Sequence, residues 1–117
     1  MSTMTSMLER MTTYDAYRWA VDLFEHQDYY RAADILRHVV DHDAEAARLG
    51  DVRELLTRAY YHSAQLGRAI EEARALLDLE PTNAYAALLL ARSLERSSRP
   101  EEADAARRLA DALGAPA

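Results

Sequence analysis

The sequence predicts an all-α fold, three antiparallel helix pairs in series with no strands. Three observations lead there. Apolar residues recur at i, i+3, i+4 and i+7 along the chain, which marks one buried stripe per helix, and no stretch alternates with a period of two. Landmarks also recur at a fixed step: Leu56, Tyr60, Ala69 and Leu76 are repeated 34 residues on by Leu90, Leu94, Ala103 and Ala110. A more divergent copy comes first, with Trp19, Leu23, Ala32 and Val39 in the same places at a step of 37, the extra three residues falling near Leu49 and Gly50.

In chain order, residues 1–11 place Met1, Met4, Leu8 and Met11 on one possible helical stripe, with Met7 beside it. A frayed terminus rich in Ser and Thr is the simpler expectation, and a methionine face docking into a neighbour's groove is the alternative. Thr12 with Asp15 resembles a capping box that opens the first paired helix, and Asp28 can cap the second. Gly67 marks the turn inside the second pair. Pro81 ends the fourth helix because it disfavours helical geometry at Glu80, after which Thr82 or Asn83 can cap the fifth. Ser98 with Glu101 reads as a fuller capping box around Pro100, and Gly114 with Pro116 closes the last helix. The units run over about 13–46, 50–83 and 84–113, followed by a tail at 114–117.

Small residues stand where the two helices of a pair must approach: Ala20 with Ala32, Thr57 with Ala69, and Ala91 with Ala103. The last helix carries Arg107 and Asp111 where the first pair offers Leu36 and Val40, so its outer face can meet water and no further unit need dock. Leu109 and Leu113 are expected to cover the core of the last pair.

A repeat of 34 with two helices per unit resembles the tetratricopeptide repeat family over roughly residues 13–113. The resemblance implies a right-handed α-solenoid in which the first helix of each pair lines a concave groove for an extended or helical peptide. By helical phase that groove would present Tyr14, Tyr17, Arg18, Val21 and Phe24, then Asp51, Glu54, Arg58, Tyr61 and His62, then Tyr85, Leu88, Arg92 and Glu95. Aromatics and arginines make good anchors; the plain alternative is that the aromatics pack between units. The family's carboxylate clamp uses lysines and asparagines at places held here by Tyr17, Val21, Leu55, Tyr85 and Leu89, so a clamp of that kind is not expected. Arg58 and Arg92 can instead pair with an acidic ligand group, or be neutralised by Asp51, Glu54 or Glu95.

Composition narrows function further. The chain has 117 residues, a formal net charge of −6, no cysteine and no lysine among its 14 basic residues. Thiol chemistry, Schiff-base catalysis and a phosphate-loop lysine are thereby excluded, and the acidic balance opposes nucleic-acid binding. No apolar run reaches membrane-span length and the start lacks a basic-then-apolar leader, so the expectation is a cytoplasmic protein with no membrane association. His38 and His42 share a helix at a spacing that can chelate a metal, with Asp34 one turn earlier, but two imidazoles do not make a site and both read as surface histidines. His26 and His62 have no evident triad partner, and Glu71, Glu72, Glu101 and Glu102 read as solvated acids near helix starts. The expected function is non-catalytic protein–protein binding, without cofactor. The alternatives are weak self-assembly into a homodimer and a small holding chaperone for one client.

Overall fold

The computed structural model describes residues 3–116. A short helix, α1 (Thr3–Arg10), precedes three hairpins: α2 (Thr13–Glu25) with α3 (Tyr29–His42), α4 (Gly50–His62) with α5 (Leu66–Leu79), and α6 (Ala84–Arg96) with α7 (Pro100–Ala112). From α2 onward each helix packs mainly on the one before and the one after it, which draws the molecule out to 43 × 25 × 22 Å. Among the described residues there is no strand, and no helix is long and apolar enough to cross a membrane.

The helix starts follow the sequence in three of four cases. Thr12 Oγ1 accepts from the Asp15 amide at 3.1 Å, the Asp28 carboxylate from Arg31 at 3.3 Å, and Asn83 Oδ1 from Ala86 at 2.9 Å, each satisfying an amide that has no partner inside its helix. The fourth is a correction. Ser98 does not cap α7: it sits in the left-handed region at φ +57°, Arg99 takes the cap position without a side-chain bond, and Pro100 is the first helical residue. The hairpin turn needs a left-handed residue there, and that requirement outranks capping.

All three hairpins turn the same way. Asp28 donates to Leu23, Gln65 to Tyr60, and Arg99 to Leu94, each six-residue closure placing one left-handed residue, Gln27, Ala64 or Ser98, after the helix. Gly67 is therefore not the turn residue of the second pair; it lies in the first turn of α5, three residues beyond Ala64. The same closure ends α7, where Ala115 donates to Ala110 and Gly114 takes the left-handed place at φ +87°. Between the first and second pairs, the 43–49 connection holds a 3₁₀ turn, Ala46–Arg48, and is three residues longer than 80–83. Gly50 opens α4.

The predicted close approaches are buried. Ala20, Ala32, Thr57, Ala69, Ala91 and Ala103 are all inaccessible to solvent or nearly so, and Thr57 satisfies its hydroxyl by donating to the Arg53 carbonyl at 2.8 Å. Around them Leu36, Leu56, Leu76 and Leu94 are buried, each contributing about 1.5–3 kcal/mol by leaving water. Between the first two units lies a charged contact that sequence reading missed. Glu72, read as a solvated acid, is only 5% exposed and binds Arg37 at 2.5 Å and Arg53 at 2.8 Å. Burial favours neutral Arg37, but its bonds to Glu72 outweigh that and push its pKa up.

The segments that flank the hairpins pack back on them at both ends of the described residues. α1 is helical rather than frayed over its described length, and Leu8, Met4 and Met11 pack on the core of the first hairpin. Met7 points to solvent, and Met1 lies outside the described residues. At the other end, Leu113 and Ala115 pack on Ala87, Leu88 and Ala110. Leu109 does not cover this core: it is 40% exposed, because Ala103, Ala106 and Ala110 take the inner face and Leu109 lies about 100° round the helix from Ala110.

Candidate functional site

The first helices of the three pairs touch in series, α2 on α4 and α4 on α6, so equivalent positions form rows across the units. One row is Tyr14, Asp51 and Tyr85; the next holds Tyr17, Glu54 and Leu88; then Val21, Arg58 and Arg92; then Phe24, Tyr61 and Glu95. The rows do not contribute equally. Leu88, expected to face a ligand, is 2% exposed and belongs to the core beneath the C-terminal turn. Val21 is half-buried against the core of the first hairpin, and Tyr85 against the cluster around Leu88.

At the edge where the first helices end, the structure gathers Phe24, Arg58, Tyr61 and His62. His62 stacks on Tyr29 with ring centres 4.8 Å apart and meets Phe24 and Tyr61 edge-on at 5.9 Å and 5.4 Å. The Arg58 guanidinium lies 4.7 Å from the Phe24 ring centre and that of Arg96 4.9 Å from Tyr61, within cation–π range. These aromatics thus pack between units, as the plain alternative held, while keeping part of their surface open. Burial lowers the pKa of His62, and the charges of Arg58 and Arg96 lower it further. Tyr29 and Arg96 were missed from sequence. Arg96 was findable, because it stands 34 residues after His62; Tyr29 starts the following helix and carries no such signal.

Arg58 and Arg92 occupy equivalent places in adjacent units, and neither makes an ion pair among the described residues. The expectation that Asp51, Glu54 or Glu95 neutralise them is not met. Glu95 binds Arg107 at 2.7 Å, and Asp51 and Glu54 bind no cation among the described residues. Arg58 Nε is enclosed without an acceptor among the described residues, whereas the two terminal nitrogens of the guanidinium are not enclosed. Arg92 is half-buried in the same row.

Toward the starts of the first helices the surface changes character. Tyr14 is 61% exposed, and with Tyr17 it borders a cavity of about 410 Å³ between α2, the 43–49 connection and α4. Arg18 is exposed and donates to the Tyr14 hydroxyl at 3.4 Å. The Tyr17 hydroxyl pKa is raised, first by burial and then by Asp51 and Glu54. On the opposite side of the first hairpin His38 and His42 stack at 4.1 Å, with His42 Nδ1 against its own helix's carbonyl at 2.8 Å. No group of three candidate metal ligands occurs among the described residues. Glu71 and Glu101 are exposed as expected, and Glu102 binds Arg74 and Arg99 at the surface.

No family model and no curated protein matches this sequence. Solved structures do match in shape. A point mutant of MamA superposes with a TM-score of 0.80 at 23% identity, covering 89% of this chain and 74% of the other. The type III secretion chaperone SycD of Yersinia enterocolitica, in complex with a peptide of the translocator YopD, gives 0.77 at 17%, covering 87% and 76%. A CopN–Scc3 complex gives 0.79 at 15%, covering 97% of this chain and 66% of the other. At these identities what is shared is the fold, a tetratricopeptide-like helical solenoid.

Proposed function

We propose that this chain is a non-catalytic protein-interaction module whose concave face, built by α2, α4 and α6, binds a peptide segment of another protein through an acidic group. The observation that carries this reading is the pair Arg58 and Arg92: two half-buried cations in equivalent places of adjacent units, without acidic partners among the described residues. A carboxylate of the bound segment supplies what they lack, by charge-assisted hydrogen bonds. The mechanism is presentation. Stacked hairpins hold the anchors in place before binding, so most of the ordering cost falls on the ligand. The peptide-bound SycD structure supports the reading, since a solenoid of the same fold there is in complex with a partner peptide.

An Arg58→Ala, Arg92→Ala double variant tests it. Affinity capture from the native cell with both forms as bait is expected to recover a partner on the unaltered chain and lose it on the variant, with far-ultraviolet circular dichroism unchanged. Equal capture by both forms would move the site off this row. If the partner were a second copy, light scattering would read twice the 13.2 kDa chain mass.

A further inference from the structure

The cavity of about 410 Å³ at the start of α2 and α4 differs in chemistry from the arginine row. Its walls include Tyr14, Tyr17, Leu49 and Val52, and both Tyr14 and Leu49 are left more than half exposed, at 61% and 55%. Large apolar side chains at the mouth of a notch mark a surface that gains by being covered. The notch exists because of the longer 43–49 connection, which carries Leu49 outward and has no counterpart between the second and third units.

The mouth is acidic. Glu45 and Asp51 line it, Glu54 follows one turn below Asp51, and none of the three has an ion-pair partner among the described residues. Of the nearby cations, Arg53 turns inward to Glu72 and Arg48 lines a cavity on the other side of the connection; Arg18 donates to the Tyr14 hydroxyl at the notch's own wall, and Arg58, one turn after Glu54, lies over the Phe24 ring, but neither pairs with the three acids. Asp43 adds a fixed charge, held by the Thr13 hydroxyl at 2.6 Å and by the amides of Glu45 and Ala46.

We propose that this notch is a socket for a cationic side chain, an arginine or lysine next to an apolar residue, in the peptide segment that occupies the concave face. The aliphatic stem lies along Tyr14, Tyr17 and Leu49 while the charged head reaches Asp51 and Glu54, the division that long basic side chains favour. The occupant follows from charge complementarity: an apolar floor under unpaired carboxylates fits that side chain better than a neutral or acidic one. The proposal rests on the concave-face reading above and sharpens it. Asp51 and Arg58 are seven residues apart on α4, about 10 Å along the axis, which an extended chain spans in about three residues. The preferred segment therefore carries a basic residue and an acidic residue about three positions apart.

Random dodecapeptides displayed on phage test this, selected against the unaltered chain, Asp51→Asn with Glu54→Gln, and Arg58→Ala with Arg92→Ala, each first checked for unchanged helicity. Peptides selected by the unaltered chain are expected to be enriched in Arg or Lys beside a large apolar residue with Asp or Glu about three positions away. A representative binder should weaken about tenfold on the Asp51→Asn, Glu54→Gln variant. Acidic enrichment that depends on Arg58 and Arg92 but comes with no basic preference overturns the socket and leaves the concave-face reading standing. Basic enrichment that survives Asp51→Asn with Glu54→Gln also overturns the socket. Binders indifferent to both variants overturn the concave-face reading and the socket together.

Discussion

Glu72 sits where α3, α4 and α5 meet, with Arg37 and Arg53 on its carboxylate and Arg53 also donating to the Ala47 carbonyl at 2.8 Å. Removing the acid strands two cations partly out of water, and breaking such a buried contact costs about 3–5 kcal/mol. Glu72→Ala is expected near the lower bound, because Arg37 already pairs with Asp41 at 2.9 Å and keeps that partner, and Glu72→Gln should cost less, since the amide oxygen still accepts. Urea unfolding checks both through the midpoint. His62 gives a pH signature. Its folded pKa lies below its ordinary value, so the unfolded chain binds the extra proton; this stability is present above about pH 6.5 and is lost as pH falls through the folded value. Melting temperature is expected to fall between about pH 7.5 and about pH 5, and His62→Gln should flatten part of that fall, with His38 contributing in the same direction. These two residues were unequally legible. Helical phase places His62 on the groove side, and it also separates Glu71 from Glu72, since Glu72 shares the i, i+3, i+4, i+7 stripe of Ala69, Ala73 and Leu76; what the sequence does not say is that Arg37 of the first unit stacks against that acid.

The elements show where repeat register outranks local residue preference. Every hairpin closes with a left-handed residue, yet none of the three carries glycine there, and the glycine of the second pair sits three residues late at Gly67. A Cβ in the left-handed region costs roughly 1 kcal/mol, and a glycine inside a helix loses about as much relative to alanine. Ala64→Gly is therefore expected to stabilise by about 0.5–1 kcal/mol. Gly67→Ala should also stabilise, because a Cβ there meets nothing within 4 Å. Differential scanning calorimetry on both variants decides: a lower melting temperature for Ala64→Gly would mean that the alanine side chain contributes packing the turn needs. The capping box read at Ser98 failed for the same reason. The pattern of Ser98, Pro100 and Glu101 fits a helix start, but the closure from Arg99 to Leu94 places that start one residue later. The helix ends at Glu80 and Gly114 were legible, because proline and glycine act through their own backbones and need no neighbour.

As a whole the molecule is nearly one-dimensional, its helices joined mainly to chain neighbours, with α1 and the turn at 113–115 packed on the first and last hairpins. In such an array stability is close to a sum of unit and interface terms, so a local defect should spread about one unit and then stop. Ala103 is the test position. It is 2% exposed where α6 and α7 approach, far along the chain from the first hairpin. Ala103→Leu overpacks that contact at a cost of about 1–3 kcal/mol. Amide hydrogen exchange is expected to speed up through α6 and α7, less so in α5, and to leave α2 and α3 protected as in the unaltered chain. Uniform loss of protection would instead mean that the three hairpins unfold as one unit, in which case Ala69→Leu and Ala103→Leu should give the same exchange pattern. The distinction bears on binding. If the last hairpin opens alone, the Arg92 end of the arginine row can loosen while Arg58 stays in place, and a peptide held by both should slow exchange in α6 most.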